Sequence, residues 1–119
     1  MKDFRTLRVW EKAHDLVMSV YRATRAFPQE ERFGLTSQLR RAAVSVPANI
    51  AEGCGRWGDR DFSRFLVIAI GSASEVEYLI LLAADLNLLT SSQHETLNAR
   101  VVEVKKMLSA FVGRLKAEC

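Results

Sequence analysis

Apolar positions recur along this chain at helical spacing, in four segments. In the first, from about Thr6 to Ala26, the residues Trp10, Ala13, Val17, Val20, Thr24 and Phe27 follow one another at heptad intervals. Val9 and Leu16 widen that seam into the broader face a bundle helix needs, while Arg8, Glu11, Lys12, Asp15, Arg22 and Arg25 lie off it. Pro28 ends the helix, because a proline cannot continue its hydrogen bonding. The charged connection from Pro28 to Gly34 is short enough for an antiparallel return.

The second segment, from about Leu35 to Gly55, has three different faces. Leu35, Leu39, Ala42, Ala43, Val46 and Ile50 share one side of a helix. A polar stripe of Gln38, Arg41, Ser45, Asn49, Glu52 and Arg56 lies about a quarter-turn away, and a strip of mostly small residues, Ser37, Ala48, Ala51 and Gly55, lies beyond it. Pro47 falls inside this segment and permits either one kinked helix or two short ones. The apolar phase from Leu39 through Val46 to Ile50 crosses the proline unbroken, which favours a single kinked helix.

Gly53, Gly55 and Gly58 predict a turn, and Asp59 a cap for a long third helix from about Arg60 to Leu89. Its core seam reads Phe62, Leu66, Ala69, Ala73, Val76, Ile80 and Ala83. The reverse side is apolar too, with Val67, Ile68, Tyr78, Leu79, Leu82, Leu86 and Leu89. After a turn at Thr90 to Ser92, the pair Ser92 and Glu95 reads as a capping box for a fourth helix. Leu97, Val101, Val104, Leu108, Phe111 and Leu115 carry its seam to the end of the chain.

Four such helices with short connections predict an all-α, antiparallel up-down-up-down four-helix bundle in a single domain, residues 1–119. Each helix of such a bundle shows water one polar face, and the third has almost none to show. A homo-oligomer that covers Val67, Ile68, Tyr78, Leu79, Leu82 and Leu86, with Ala48 and Ala51 of the small strip, resolves that conflict. The alternative is a monomer with scattered exposed leucines.

Composition refines this picture only a little. A chain of 119 residues can bury roughly two-thirds of its unfolded surface, and 49% hydrophobic with 26% charged residues is ordinary for a folded helical domain. The net charge of +3 and pI near 9.1 permit an acidic partner without requiring one. Two cysteines, Cys54 and the last residue Cys119, make no disulfide framework. Charges at Lys2, Asp3, Arg5 and Arg8 interrupt any secretory leader, and the longest charge-free run, Phe65 to Ser74, is half a membrane span. These features predict a cytoplasmic protein that does not engage a membrane.

Candidate chemistry is sparse. Glu11 and His14 form the Glu-x-x-His element of bundle di-iron sites, but the other histidine, His94, has no matching partner, so no metal or cofactor is expected. Cys54 has no histidine near it in sequence and reads as a small core residue rather than a nucleophile. No catalytic constellation emerges and no enzyme activity is expected. Arg56, Arg60 and Arg64 recur every four residues beside Trp57, with Arg40 and Arg41 earlier, a set suited to phosphates and an unpaired base. Asp59 and Asp61 offer the competing reading, in which those arginines are simply ion-paired.

The run FGLTSQLRRAAVSVPANIAEGCGR, with VWEKAHDL before it and FSRFLVIAIGSASE after it, resembles the four-helix-bundle family encoded in intervening sequences of bacterial large-subunit ribosomal RNA genes. That family was once labelled a ribosomal protein. The chain is also similar to the accessory variability determinant of diversity-generating retroelements. The resemblance implies a cytosolic ring of five bundles, a basic surface proposed to bind RNA or DNA, and no catalytic activity. In the retroelement branch it further implies a reverse transcriptase partner. Gln38, Arg41, Pro47, Asn49, Glu52 and Gly53 carry the motif, and Gln38, Arg41, Asn49 and Glu52 are expected to form a hydrogen-bonded seam between helices or subunits. The nucleic-acid role is then expected of Arg40, Arg56, Trp57, Arg60, Arg64, Arg100, Lys105 and Lys106.

Overall fold

The four apolar seams fold into four α-helices: α1 (Arg8–Thr24), α2 (Leu35–Cys54), α3 (Asp59–Asp85) and α4 (Ser91–Glu118). The computed structural model describes residues 1–118, so Cys119 lies outside the described residues. Short 3-10 turns at Phe4–Thr6 and Gln29–Glu31 precede α1 and α2. α1 and α3 each pack on both α2 and α4, while the diagonal pairs make no close backbone approach among the described residues. This is an antiparallel bundle 46 Å long and 20 to 22 Å across, a length that matches the roughly 42 Å expected of a 28-residue helix such as α4.

The core stripe of α1 keeps Ala13, Val20, Thr24 and Phe27 of the expected seam and centres on Val9 and Leu16 in place of Trp10 and Val17. Val9, Ala13, Leu16, Val20 and Thr24 are buried, whereas Trp10 and Val17 flank the core. Trp10 instead faces Phe4 and His14, at ring-centroid distances of 4.9 and 5.1 Å. The helix begins at Arg8, not Thr6, because Asp3 caps a separate turn: Arg5 N–H donates to its carboxylate at 3.0 Å and the Thr6 hydroxyl to its carbonyl at 2.7 Å. α2 runs unbroken through the buried Pro47, as its apolar phase predicted.

The glycines between α2 and α3 divide their labour. Gly58 alone is left-handed, at φ 86°, and it occupies the cap position expected of Asp59. Asp59 is the first helical residue and pairs with Lys2 at 3.7 Å. Gly53 does not belong to the turn at all; it is buried inside α2 where that helix touches α3. A Cβ added there would lie 2.8 Å from Phe65 Cβ and 3.0 Å from Phe62 Cδ1. Gly53→Ala is therefore expected to lower stability by roughly 1–3 kcal/mol, less about 0.5–1 kcal/mol gained in helix propensity, which a thermal melt would register as several degrees. An unchanged melting temperature would mean that the two helices part at no cost.

α3 ends at Asp85, short of the expected Leu89. Asn87 adopts φ 62°, Leu88 N–H donates to Ala83 O at 2.9 Å and Asn87 N–H to Ala84 O at 3.0 Å, a left-handed C-terminal cap built on asparagine. Leu89 is consequently buried under the bundle end, not on the reverse face of α3. The cap of α4 also differs from expectation. Thr90 N–H donates to Gln93 Oε1 at 2.8 Å and Gln93 N–H to Thr90 Oγ1 at 3.1 Å, so the box is Thr90 with Gln93 rather than Ser92 with Glu95.

One side of α3 carries a core and the other does not. Phe62, Leu66, Ala69, Ala73, Val76, Ile80 and Ala83 are buried as expected. Leu79, expected on the reverse face, is only 2% exposed and belongs to the core; Leu82 is half-buried against it. Val67, Ile68, Tyr78 and Leu86 do face outward, joined by Leu81, and Tyr78 is 59% exposed. The most apolar 18-residue window of α3 reaches a mean hydropathy of 1.8 with 39% of it buried, so by length and composition this helix could cross a membrane. Here the same greasiness serves as core on one side and as an uncovered face on the other. Ala48 of α2 is exposed and Ala51 half-buried.

Candidate nucleic-acid interface

Antiparallel topology brings four chain positions to one end of the bundle: the start of α1, the end of α2, the start of α3 and the end of α4. Arg5, Arg8, Arg56, Arg60, Arg64, Arg114 and Lys116 all lie there, spread over the whole length of the sequence. Of the eight basic and aromatic candidates expected for nucleic acid, only Arg56, Trp57, Arg60 and Arg64 belong to this end. Arg8, Arg114 and Lys116 were missed because nothing in their local sequence marks them. The helix directions were the signal that would have found them.

Several of these cations have partners. Arg56 pairs with Glu52 at 3.2 Å and Arg64 with Asp61 at 3.0 Å, and both guanidiniums sit 5.0 Å from the centre of the Phe65 ring. Both pairs are exposed, so each contributes at most about 1 kcal/mol and yields readily to a phosphate. Arg8, Arg60, Arg114 and Lys116 have no ion-pair partner among the described residues; Arg114 lies over the Phe111 ring at 5.2 Å. Trp57, in the turn between α2 and α3, is 80% exposed. A large apolar ring held out in water is a ready platform for stacking.

The remaining candidates do other work. Arg40 is half-buried; its Nε donates to Thr24 Oγ1 at 2.8 Å and its guanidinium covers the Tyr21 ring at 4.6 Å, so it fastens α2 to α1. A ligand at Arg40 would have to break both contacts. Lys105 is held by Glu77 at 2.8 Å across the seam between α3 and α4. Lys106 and Arg100 are exposed, away from the cationic end.

The polar stripe of α2 forms only part of the expected seam within this chain. Gln38 Nε2 donates to Glu75 Oε2 at 3.5 Å and the Ser45 and Ser72 hydroxyls meet at 2.8 Å, both reaching α3. Asn49 turns back on its own helix, donating to Ser45 O at 2.8 Å and Ser45 Oγ at 3.0 Å, while Glu52 serves Arg56. Arg41 is exposed with no hydrogen-bonded or ionic partner among the described residues.

A groove of about 480 Å³ opens between the start of α3 and the end of α4, lined by Asp59, Arg60, Ser63, Arg64, Val67, Leu115 and Lys116. His14 stacks on Trp10, and no group of three His, Cys, Asp or Glu side chains disposed for a metal occurs among the described residues. Cys54 is buried beneath the N-terminal segment, and burial pushes its thiol above the ordinary range. A protonated, covered thiol is a poor nucleophile.

A crystal structure of a protein with unknown function from the S23 ribosomal protein family, from Bacteroides thetaiotaomicron VPI-5482, superposes with a TM-score of 0.81. It is 27% identical over 87% of this chain and 97% of that one. No curated protein matches the sequence. The sequence model of the 23S rRNA-intervening sequence protein family matches residues 5–110, nearly the whole of the bundle just described, and the chain belongs to that family.

Proposed function

We propose that this protein is a non-enzymatic homo-oligomer, a ring of five bundles, that binds RNA or DNA through the cationic end of each bundle. The observation that carries the binding is that helix directions bring Arg8, Arg56, Arg60, Arg64, Arg114 and Lys116 to one end, four of them unpaired among the described residues, with the exposed Trp57 at the same end. Guanidinium groups suit phosphate oxygens, and repetition around a ring multiplies modest sites into useful affinity for a polyanion. The ring itself is supported by the outward face of α3, where Ile68, Tyr78, Leu81 and Leu86 are left to water.

The assembly uses two different sides of each subunit. Apart from residues at the bundle ends, the other exposed large apolar side chains are Met18, Tyr21 and Val44, on α1 and α2. Two unlike patches fit a head-to-tail contact that closes into a ring, rather than a two-fold pair.

A second reading, a protein-interaction scaffold without nucleic acid, draws on the ion pairs that occupy Arg56, Arg64 and Lys105. Binding of the purified protein to an RNA hairpin and to duplex DNA, across a salt series from about 50 to 200 mM, separates the two. Affinity that falls steeply with salt is the expected result. Absence of binding at the lowest salt would discard the nucleic-acid reading and leave the scaffold.

A further inference from the structure

We infer that the groove between α3 and α4 takes one unpaired nucleotide, so that the protein prefers single-stranded to duplex nucleic acid; this rests on the nucleic-acid reading above. The groove combines two chemistries that a duplex backbone does not use together. Its walls are apolar, with Val67 and Leu115 and the stems of the long side chains, and its rim carries Arg60 and Lys116 from two different helices. Asp59 lines it too, but its carboxylate is held by Lys2 at 3.7 Å, and Arg64 is held by Asp61 at 3.0 Å. Among the described residues, Arg60 and Lys116 are the cations of the rim with no ion-pair partner.

A nucleotide has the matching split. Its phosphate is a dianionic or monoanionic head for two cations, and its base is a flat, weakly hydrated body for an apolar wall. The volume of about 480 Å³ falls within the range of pockets that enclose small ligands. In a duplex the base is stacked and paired, so only the phosphate reaches the rim and the apolar wall stays wet.

Ser63 supplies an independent sign. Its hydroxyl is buried at the groove with no hydrogen-bond partner in the bundle, and buried hydroxyls are rarely left so. Ser63 itself lines the groove, so a ribose or base acceptor bound there is placed to complete that hydroxyl.

The test compares a twelve-residue oligouridylate, an RNA duplex of equal length and an abasic ribose-phosphate oligomer, by fluorescence anisotropy at fixed low salt. The intact protein is expected to bind oligouridylate at least about tenfold more tightly than the duplex, and the abasic strand no better than the duplex. Arg60→Gln with Lys116→Gln is expected to weaken oligouridylate and duplex alike and to reduce the salt slope by roughly 1, whereas Val67→Asp, which puts a charge on the apolar wall, is expected to remove the preference. Lys116→Gln alone lies on an exposed final turn and keeps the result readable should the double variant fold poorly.

Equal affinity for the three ligands, all of it lost in Arg56→Gln, Arg60→Gln, Arg64→Gln, would overturn the groove while sparing nucleic-acid binding. No binding of any of them would overturn both. Tight binding of the abasic strand would also overturn the groove, since the apolar wall would then contribute nothing.

Discussion

For the ring proposed above, replacing Tyr78 and Leu81 together by glutamate is expected to leave a folded monomer. Both side chains point away from the core, at 59% and 47% exposure, so their loss removes little from the bundle itself. At an interface the same two residues matter twice. Burying them contributes roughly 1.5–3 kcal/mol each, and a glutamate in their place leaves a charge without water. A loss of about 4 kcal/mol per contact corresponds to an association constant weaker by on the order of a thousandfold. Sedimentation velocity would read the dissociation, and circular dichroism would show an unchanged helix content. A variant that stays fully assembled would remove this face from the interface. Leu82 is a poor choice for such a test, because it is half-buried against the core and a charge there would unfold the monomer as well.

Gly71 sharpens the same question. It lies in the middle of α3 on the exposed side, with nothing within 4 Å of an added Cβ. Within the monomer an alanine there can only help, by roughly 1 kcal/mol of helix propensity. Where a neighbouring helix crosses at Gly71, the same methyl group obstructs it. Gly71→Ala is thus expected to raise the melting temperature of the dissociated Tyr78→Glu, Leu81→Glu protein and to weaken assembly of the otherwise intact chain.

The second large effect is expected from Arg56→Gln, Arg60→Gln and Arg64→Gln made together. Each arginine that meets a phosphate adds roughly 1 to the salt slope, and three of them near physiological salt amount to about two orders of magnitude in affinity. The acids make the change larger. Glu52 and Asp61 lose their partners, so the bundle end becomes locally repulsive toward phosphate as well as less attractive. The lost ion pairs are exposed, and the melting temperature is expected to move little. Affinity and salt slope equal to those of the unaltered protein would show that this end does not carry the ligand.

Those two experiments address different surfaces, and the sequence revealed them unequally. The uncovered face of α3 was readable from the pattern of apolar positions, since a helix apolar on every side has no place in a simple bundle. Its membership was readable only in part: Val67, Ile68, Tyr78 and Leu86 face outward as expected, and Leu79, Leu82 and Leu89 do not. Leu79 and Leu81 are both leucines two positions apart, and only the rotation of α3 against α2 and α4 puts the first at 2% and the second at 47% exposure. A heptad pattern fixes which residues share a face, and a small rotation of α1 makes Val9 and Leu16, expected only to widen its face, part of the core and leaves Trp10 and Val17 at the flank.

Short-range chemistry was legible wherever a single residue type imposes a single geometry, as with the phase of the apolar seam through Pro47. It misled where two residues compete for one role. Asp59 and Gly58 both suit the start of α3, and the need for a positive φ gave the cap to glycine while Lys2 drew the aspartate away. Gly53 looked like a turn residue because glycines usually are. Its real constraint is the Phe65 Cβ that would lie 2.8 Å from a Cβ on it, a contact between positions twelve residues apart on two helices.

The sequence by itself determined four helices, their order, their apolar seams and a chain with more greasy surface than one bundle can bury. These follow from periodicity and local hydrogen bonding, which act over a turn or two of backbone. Tertiary structure decided the rest: Arg40 fastened to Thr24, Arg8, Arg114 and Lys116 brought to the same end of the bundle as Arg60, and a groove opened between Ser63 and Leu115. Each of these depends on the directions and rotations of packed helices, which arise only when distant segments share one core.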